Sequence, residues 1–276
     1  MRKPVLLWIL AFIITVASAY YQRVTGPTYP VSGRIVLGSD EILYTLDRNH
    51  GGESDASVVV HIGDTTATGA VEWKRFKTND AWSSVPMVRR GESLSAFLPH
   101  QPPAGKLQYR VRVLKGGVSI LLPAEEGVVM RFKGDVPLAV LIAHIIVIFG
   151  AMLFSTRSGL EYLAVQPRPM TFAAVALVLM AVGGMILGPI VQKYAFDAYW
   201  TGWPFGEDLT DNKTLVALLA WVAAWVALRK AQNPRAWVIG AAIITFIVFL
   251  IPHSLRGSEL KYKELDAHPT PTQQPR

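Results

Sequence analysis

Side chains that could bind a ligand are concentrated in one short stretch of the sequence. Its aromatic and polar members are Trp200, Trp203, Glu207, Asp208, Asp211 and Asn212. Aromatic rings stack on cations and on sugar-like ligands, and a few polar groups orient such ligands. One interpretation is a small polar site roofed by the two tryptophans. The alternative is structural: Asp208 or Thr210 caps the next helix, and Asp211 adds negative charge near its N-terminus.

Two histidines, His144 and His253, are the second chemical feature, because each lies in or beside a long apolar segment. Imidazole nitrogens bind metal ions and haem iron, so the pair predicts a possible haem or metal site. The alternative is a polar contact between helices through a neutral imidazole. The chain has no cysteine, which excludes thiol chemistry. Without a nucleophile–base motif or a phosphate-binding loop, we assign no catalytic residue.

Five apolar segments must position these residues. They cover 5–20, 136–154, 170–191, 214–228 and 236–251. A helix needs about 20 residues to cross about 30 Å of hydrocarbon, and its backbone polar groups must be bonded within the segment. Charged residues make up only 17% of the chain, below the roughly 25% of ordinary soluble domains. The sequence therefore predicts an α+β membrane protein with one N-terminal and four C-terminal transmembrane helices.

Basic residues on the short connections predict the orientation. Arg157 and Arg168 follow the second segment, and Arg229, Lys230 and Arg235 follow the fourth. Basic connections stay in the cytoplasm. Two parts of the chain are therefore expected on the periplasmic side of a bacterial inner membrane. They are the region between the first two segments, and the C-terminus. The aromatic loop, 192–213, is expected on the same side, with its tryptophans anchored at the membrane surface and its rings buried against helices or the β domain.

The N-terminal segment has two interpretations. Residues 1–21 are predicted to be an uncleaved transmembrane anchor. The alternative is a signal peptide, since Ala17, Ser18 and Ala19 fit a cleavage site.

Residues 22–135 are predicted to form a β domain outside the cytoplasm. Candidate strands, mostly separated by Gly, Asn, Asp or Pro, cover 33–37, 42–46, 57–62, 71–76, 93–98, 107–114, 118–122 and 128–132. This density of short strands is typical of an antiparallel sandwich of immunoglobulin or fibronectin type. Tyr109 is the candidate corner tyrosine of that fold, and Trp73 is the candidate core aromatic.

Two further features concern the helices and the tail. Residues 136–255 form the predicted four-helix membrane domain, in which Gly184 and Gly188 favour close helix packing. Arg157 and Glu161 are expected to form an exposed pair worth about 0.5 kcal/mol. Residues 256–276 are polar and rich in proline, which predicts a disordered tail outside the cytoplasm.

Residues 199–213 read Tyr-Trp-Thr-Gly-Trp-Pro-Phe-Gly-Glu-Asp-Leu-Thr-Asp-Asn-Lys. This stretch resembles one shared by a group of uncharacterised bacterial inner-membrane proteins, and residues 25–30 and 251–254 are similar to the same group. The resemblance implies the membrane architecture. It implies no activity, because none is assigned to that group.

The sequence favours a non-enzymatic accessory protein that is anchored in the lipid bilayer and binds a protein partner in the envelope. One alternative is a redox protein that binds haem or a metal through His144 and His253. Another is a component of a small-solute transporter, which is disfavoured because the four C-terminal segments contain no Asp, Glu, Lys or Arg. Nucleic acid is excluded as a partner, since Lys and Arg are scattered despite a net charge of +7.

Overall fold

The computed structural model describes residues 3–38, 40–124, 126–253, 255 and 257–267. The chain divides into two compact units. The first, the helical unit, comprises Met1–Pro27 and Val136–Ser258. The second, the β unit, comprises Thr28–Asp135 and Glu259–Arg276. Each unit therefore contains two parts of the chain that are distant in sequence.

The helical unit consists of long helices joined by short connections. Their bounds are α1 (Lys3–Val24), α2 (Leu138–Leu160), α3 (Pro169–Met180), α4 (Gly188–Phe196), α5 (Leu209–Lys230) and α6 (Arg235–Leu250). A 3₁₀ turn, Glu161–Leu163, follows α2, and a π-helix, Ala181–Leu187, joins α3 to α4. The run from Pro169 to Phe196 is therefore helical throughout.

Among the described residues, four helical runs are long and apolar enough to cross a membrane. They are Pro4–Val24, Leu138–Leu163, Pro169–Phe196 and Leu209–Lys230. The fifth predicted segment is also helical, but α6 has only 16 residues. The largest difference in bounds is at the end of α2, which continues to Leu160 and not to 154. The start of α5 also differs, because α5 begins at Leu209 and not at 214. The first turns of α5 contain Asp211 and Lys213. Because both residues are charged, the sequence predicts them in the preceding loop.

Small residues allow the helices to approach closely. A Cβ atom on Gly184 would lie 2.5 Å from Cγ2 of Thr214 on α5, and one on Gly159 would lie 2.8 Å from Cβ of Ala242 on α6. The predicted packing role of Gly184 is thus realised within the chain. Nearby, the fully buried Trp221 donates from Nε1 to Oγ1 of Thr245 at 2.9 Å, which links α5 to α6.

The ion pair between Arg157 and Glu161 is buried, and the prediction of an exposed pair is wrong. The two residues are only 3% and 6% exposed. The guanidinium carbon of Arg157 lies 4.5 Å from the ring centre of Phe172 and 5.5 Å from that of Trp8. These rings come from α3 and α1, so spacing within α2 could not reveal the burial. Removing one partner of a buried pair typically costs about 3–5 kcal/mol.

The β unit contains two sheets. Their strands are β1 (Val31–Leu37), β2 (Asp40–Leu46), β3 (Asn49–Gly51), β4 (Ala56–His61), β5 (Thr68–Arg75), β6 (Ser83–Pro86), β7 (Val88–Arg90), β8 (Ser93–Leu98), β9 (Lys106–Lys115), β10 (Val118–Leu122) and β11 (Val128–Lys133). Sheet A has the order β1-β2-β4-β8-β7, and sheet B has the order β3-β11-β9-β5-β6 with β10 also paired to β9. Neighbouring strands are antiparallel, except that β3 runs parallel to β11.

Both sheets contribute to one hydrophobic core. Alternate residues of β4 in sheet A and of β9 in sheet B belong to it, including Val58, Val60, Val111 and Val113. Side chains alternate between the two faces of a strand, so one face of each sheet is buried and the other is open. The predicted β domain is confirmed, whereas its likeness to the immunoglobulin or fibronectin type stays a prediction.

The eight predicted strands are all present, with ends that differ by at most three residues. Three short strands, β3, β6 and β7, were not predicted. The Asn-His-Gly sequence of β3 has turn composition and is extended because it pairs with β11. The strands β6 and β7 lie on either side of Met87, and their residues are mostly exposed. Their sequences lack the apolar alternation that identifies a strand.

Tyr109 connects the two sheets. It is fully buried, and its hydroxyl group donates to the carbonyl oxygen of Asp47 at 2.7 Å. A corner tyrosine bonds the backbone a few residues upstream, whereas Asp47 lies 62 positions earlier in the chain. The predicted local corner is therefore wrong, because this bond joins β9 of sheet B to the end of β2 in sheet A. Trp73 packs against the core and is partly buried.

The segment after the last apolar helix is ordered where the structure describes it. Disorder was predicted for 256–276, yet this segment forms the short helix α7 (Tyr262–Ala267) within the β unit. The prediction is wrong for the described part, and residues 268–276 lie outside the described residues. The composition alone predicts disorder, but contacts with residues that are distant in sequence hold this segment in place.

Those contacts centre on Tyr262. Its hydroxyl oxygen accepts a hydrogen bond from the backbone N–H of Lys106 at 3.0 Å, and burial raises the pKa of Tyr262 to about 12. Ion pairs flank it on both sides. The carboxylate of Glu259 lies 2.6 Å from Nζ of Lys106, and that of Asp266 lies 2.7 Å from Nη1 of Arg75. The C-terminal segment is therefore an integral part of the β unit.

Replacing Tyr109 with Phe should lower the free energy of unfolding of the β unit. The change keeps the ring in the core but removes the hydrogen bond to Asp47, which predicts a loss of about 1 kcal/mol. Urea unfolding of the full chain in detergent measures the effect. Tyr20→Phe, at a residue that is 70% exposed, is the control and should change nothing. Equal stability of the Tyr109 variant and the wild type would contradict the assigned role.

Candidate functional site

Asp208 holds the start of α5. Its Oδ1 atom accepts a hydrogen bond from the backbone N–H of Thr210 at 2.8 Å, which makes Asp208 the N-cap residue of the helix. Its Oδ2 atom accepts from the backbone N–H of Ser258 at 2.8 Å. The predicted capping role of Asp208 is therefore confirmed. The same carboxylate also attaches the chain that follows α6 to the beginning of α5.

Asp211 lies in the first turn of α5 and organises the loop that precedes the helix. Its Oδ2 atom accepts from the backbone N–H groups of Thr201 and Gly202 at 2.7 and 2.9 Å, and from Nε2 of Gln192 at 3.2 Å. Asp211 is only 7% exposed. A buried carboxylate is costly unless it accepts several hydrogen bonds, and these donors meet that requirement.

A hydroxyl network joins the two carboxylates. The Thr201 hydroxyl group lies 3.2 Å from Oδ2 of Asp208 and 2.8 Å from the Ser258 hydroxyl group, and it also accepts from Nε2 of Gln192 at 2.8 Å. We call Gln192, Thr201, Asp208, Asp211 and Ser258 the loop cluster. Its members lie in α4, in the segment between α4 and α5, in the first turn of α5 and in the segment after α6. The cluster therefore connects α4, the start of α5 and the chain that follows α6.

Asn212 and two glycines fix the remainder of the aromatic loop. The Oδ1 atom of Asn212 accepts from the backbone N–H of Trp203 at 2.6 Å. A Cβ atom on Gly202 would lie 2.6 Å from Cβ of Asp211, and one on Gly206 would overlap the carbonyl oxygen of Thr201. Only glycine fits these close approaches, so this loop conformation requires glycine at both positions.

The structure brings together only some of the residues that were predicted to bind a ligand. Asp208, Asp211 and Asn212 come together, but the chain itself supplies hydrogen-bond donors to each of them. Glu207 and Trp203 point away and are exposed, Trp203 by 70%. Trp200 is partly buried and donates from Nε1 to the carbonyl oxygen of Trp203 at 3.1 Å. The expectation that these rings are buried is wrong for Trp203, and ligand binding by the set stays a prediction.

Sequence reasoning missed Lys213. This residue is 6% exposed and donates from Nζ to the carbonyl oxygen of Ile251, just beyond α6. Gln22 donates to the same oxygen at 3.2 Å and to that of Phe249 at 2.8 Å. These bonds satisfy carbonyl groups that the end of a helix leaves unpaired. The signal for this role in the sequence is a lysine within the first turns of an apolar helix.

One ring nitrogen of His144 is hydrogen-bonded within the helical unit. Its Nδ1 atom lies 3.1 Å from the carbonyl oxygen of Gly183, in the π-helix. A carbonyl oxygen only accepts, so Nδ1 carries the proton and Nε2 keeps its lone pair. This bond agrees with the predicted polar contact between helices. It also matches the way ligating histidines are held when their other nitrogen binds a metal.

His253 lies beyond the end of α6. Although its side chain is accessible to solvent, desolvation by the surrounding protein lowers the pKa of His253, and the positive charge of Lys213 acts in the same direction while the negative charge of Asp208 opposes it. Its imidazole is therefore neutral at neutral pH. No group of three or more His, Asp or Glu side chains that could hold a metal ion occurs among the described residues.

No known protein family and no curated protein matches this chain.

Replacing Asp208 with Ala should destabilise the helical unit. The variant loses the cap of α5, which typically costs about 1 kcal/mol, and it also loses the bond to Ser258. Thermal unfolding in detergent should show a lower midpoint. Glu207→Ala is the matched control, since it removes a neighbouring but exposed carboxylate and should change stability by no more than about 0.5 kcal/mol. Equal effects of the two substitutions would contradict a specific role for Asp208.

Proposed function

We propose that this chain is a multi-pass protein of a bacterial inner membrane whose β unit binds a protein partner on the periplasmic side. The proposal combines a membrane anchor, the helical unit, with a separate binding unit. It assigns no catalysis, and the polar side chains of the loop cluster have structural roles in it.

The composition of the β unit supports the proposed topology. Glu259 and the residues after it belong to the same compact unit as Thr28–Asp135, although the helices α2 to α6 separate them in sequence. Both parts must therefore lie on one side of the membrane, which requires an even number of crossings between them. Leu138–Leu163, Pro169–Phe196, Leu209–Lys230 and the shorter α6 provide four. The basic residues between them favour the cytoplasm for the opposite side.

The open face of sheet A is the observation that carries the proposed partner binding. Leu43, Val59, Val88 and Phe97 are 55%, 37%, 62% and 55% exposed. They lie on β2, β4, β7 and β8, which are adjacent strands, and Val59 and Val88 both pair with Ser95. Apolar residues that are clustered on one exposed face are typical of a protein interaction site.

The open face of sheet B has a different character. Glu72 accepts hydrogen bonds from Nε of Arg112 at 2.6 Å and Nε of Arg110 at 2.7 Å, and these bonds hold the pKa of Glu72 below its usual value. The guanidinium group of Arg110 also lies 4.3 Å from the ring centre of Trp82. Such a network of paired charges is stable in water. The contrast favours sheet A as the binding face.

Site-specific photocrosslinking tests this function. With p-benzoylphenylalanine in place of Phe97, irradiation of native membranes should give a discrete adduct that contains one partner protein. The matched control carries the same group in place of Ser119, an exposed residue of β10 in the other sheet, and should give no such adduct. A positive result at Leu43 would extend the face. Failure at both Phe97 and Leu43, or the same adducts at Ser119, would reject sheet A as the binding face.

A second candidate function is haem or metal binding by His144 and His253. The bond from Nδ1 of His144 to the carbonyl oxygen of Gly183 favours it, because it leaves Nε2 available as a ligand. Lys213 and the surrounding protein lower the pKa of His253, which favours the neutral imidazole that a metal ion requires.

The absorption spectrum and metal content of the purified chain test this candidate. It requires a visible absorption band or a bound transition metal, which His144→Ala should remove. His50→Ala is the control, because His50 lies in the β unit and should leave the spectrum unchanged. A colourless and metal-free wild-type preparation would exclude the candidate without affecting the proposed partner binding.

A further inference from the structure

The tip of the aromatic loop exposes two large apolar rings. Trp203 is 70% exposed and Phe205 is 82% exposed, with Pro204 between them. Fully buried Trp221 shows that the same unit can accommodate a large ring. Two adjacent aromatic side chains in water are unfavourable, so their exposure calls for a medium that covers them.

This tip is held in place by hydrogen bonds on both sides. The backbone N–H groups of Phe205 and Gly206 both donate to the carbonyl oxygen of Gly202 at 2.9 Å. Asn212 holds the N–H of Trp203, and the indole of Trp200 holds its carbonyl oxygen. The polar backbone of the tip is thus largely satisfied within the loop. A surface of this kind, with its backbone bonded internally and its rings directed outwards, is suited to an apolar environment.

The exposed apolar surface continues from the tip onto the adjoining helices. Tyr199 and Tyr194 are 61% and 47% exposed on the α4 side, and Val216 and Leu219 are 52% and 57% exposed on α5. Both helical runs are apolar enough to cross a membrane. The helices on both sides of the loop therefore expose apolar side chains, as the tip does, and the same medium suits both.

Charged residues flank the tip on both sides in the sequence. From Tyr199 to Gly206 the sequence contains no charged residue. On one side Asp197 is exposed and pairs with Lys193 at 2.6 Å, and on the other side Glu207 is exposed. Aromatic rings are favoured at the boundary between headgroups and acyl chains, whereas exposed carboxylates stay in water.

We propose that Trp203, Pro204 and Phe205 form a wedge that inserts into the headgroup region of the outer leaflet, and that phospholipid is the binding partner of this surface. The loop cluster fixes the wedge at the ends of α4 and α5. The inference rests on the membrane placement in the proposed function, and it extends that placement from the helices to a loop that would otherwise project into water.

Single-cysteine spin labels provide the test, since the chain has no cysteine of its own. Phe205→Cys and Trp203→Cys each place a label at the tip while keeping the other ring. Glu207→Cys is the matched control on the same loop, and Ile243→Cys, 53% exposed on α6, reports membrane placement. The full chain is reconstituted into bilayers of phosphatidylethanolamine and phosphatidylglycerol, and the accessibility of each label to oxygen and to a water-soluble nickel complex is measured.

Labels at 203 and 205 should be several-fold more accessible to oxygen than to nickel relative to the label at 207. Nickel-accessible labels at 203 and 205, together with an oxygen-accessible label at 243, would overturn the wedge and leave the membrane placement intact. Labels at the tip that are shielded from both reagents would overturn it in favour of a protein contact. A nickel-accessible label at 243 would instead reject the membrane placement itself.

Discussion

The contact between the C-terminal segment and the β unit constrains the whole chain. Tyr262 receives a hydrogen bond from Lys106, which lies 156 positions earlier, and Asp266 pairs with Arg75. Because all the helices from α2 to α6 lie between these residues in sequence, the chain must leave the β unit and return to it. In a membrane this demands an even number of crossings. Under the proposed membrane placement, the three longer helical runs between them meet this demand only together with the short helix α6.

Within the helical unit, several buried charged side chains interact with the chain itself, while many apolar side chains are exposed. Asp211 accepts from the backbone of the aromatic loop, Lys213 donates to the end of α6, and Arg157 lies between aromatic rings beside Glu161. This arrangement suits a surrounding medium that cannot solvate charge. Asp208, Asp211 and Asn212, which the sequence offers as ligand-site candidates, accept hydrogen bonds from the chain itself, and ligand binding by them stays a prediction.

Local patterns predicted those features that depend on neighbouring residues. Val118–Leu122 and Ser93–Leu98 were recognised with their final bounds because alternation and flanking turn residues identify a strand. Asp208 and Thr210 were recognised as candidate caps because both residue types favour the position before an apolar helix, and the structure identifies Asp208. The short strand β3 was missed, since it is extended only through pairing with β11. Similarly, the bond from Tyr109 to Asp47 connects two sheets whose packing no local pattern reveals.

The sequence by itself determined the apolar helices, the eight longer strands of the β unit and two candidate capping residues, Asp208 and Thr210, because each follows from side chains that are close together along the chain. Only the tertiary structure decided that Arg157 is buried, that Tyr262 docks on the β unit and that Trp203 and Phe205 face outwards. These outcomes depend on which distant residues approach, namely Phe172, Lys106 and Asn212. Contacts of that kind arise when elements pack, and they leave no periodic trace in the sequence.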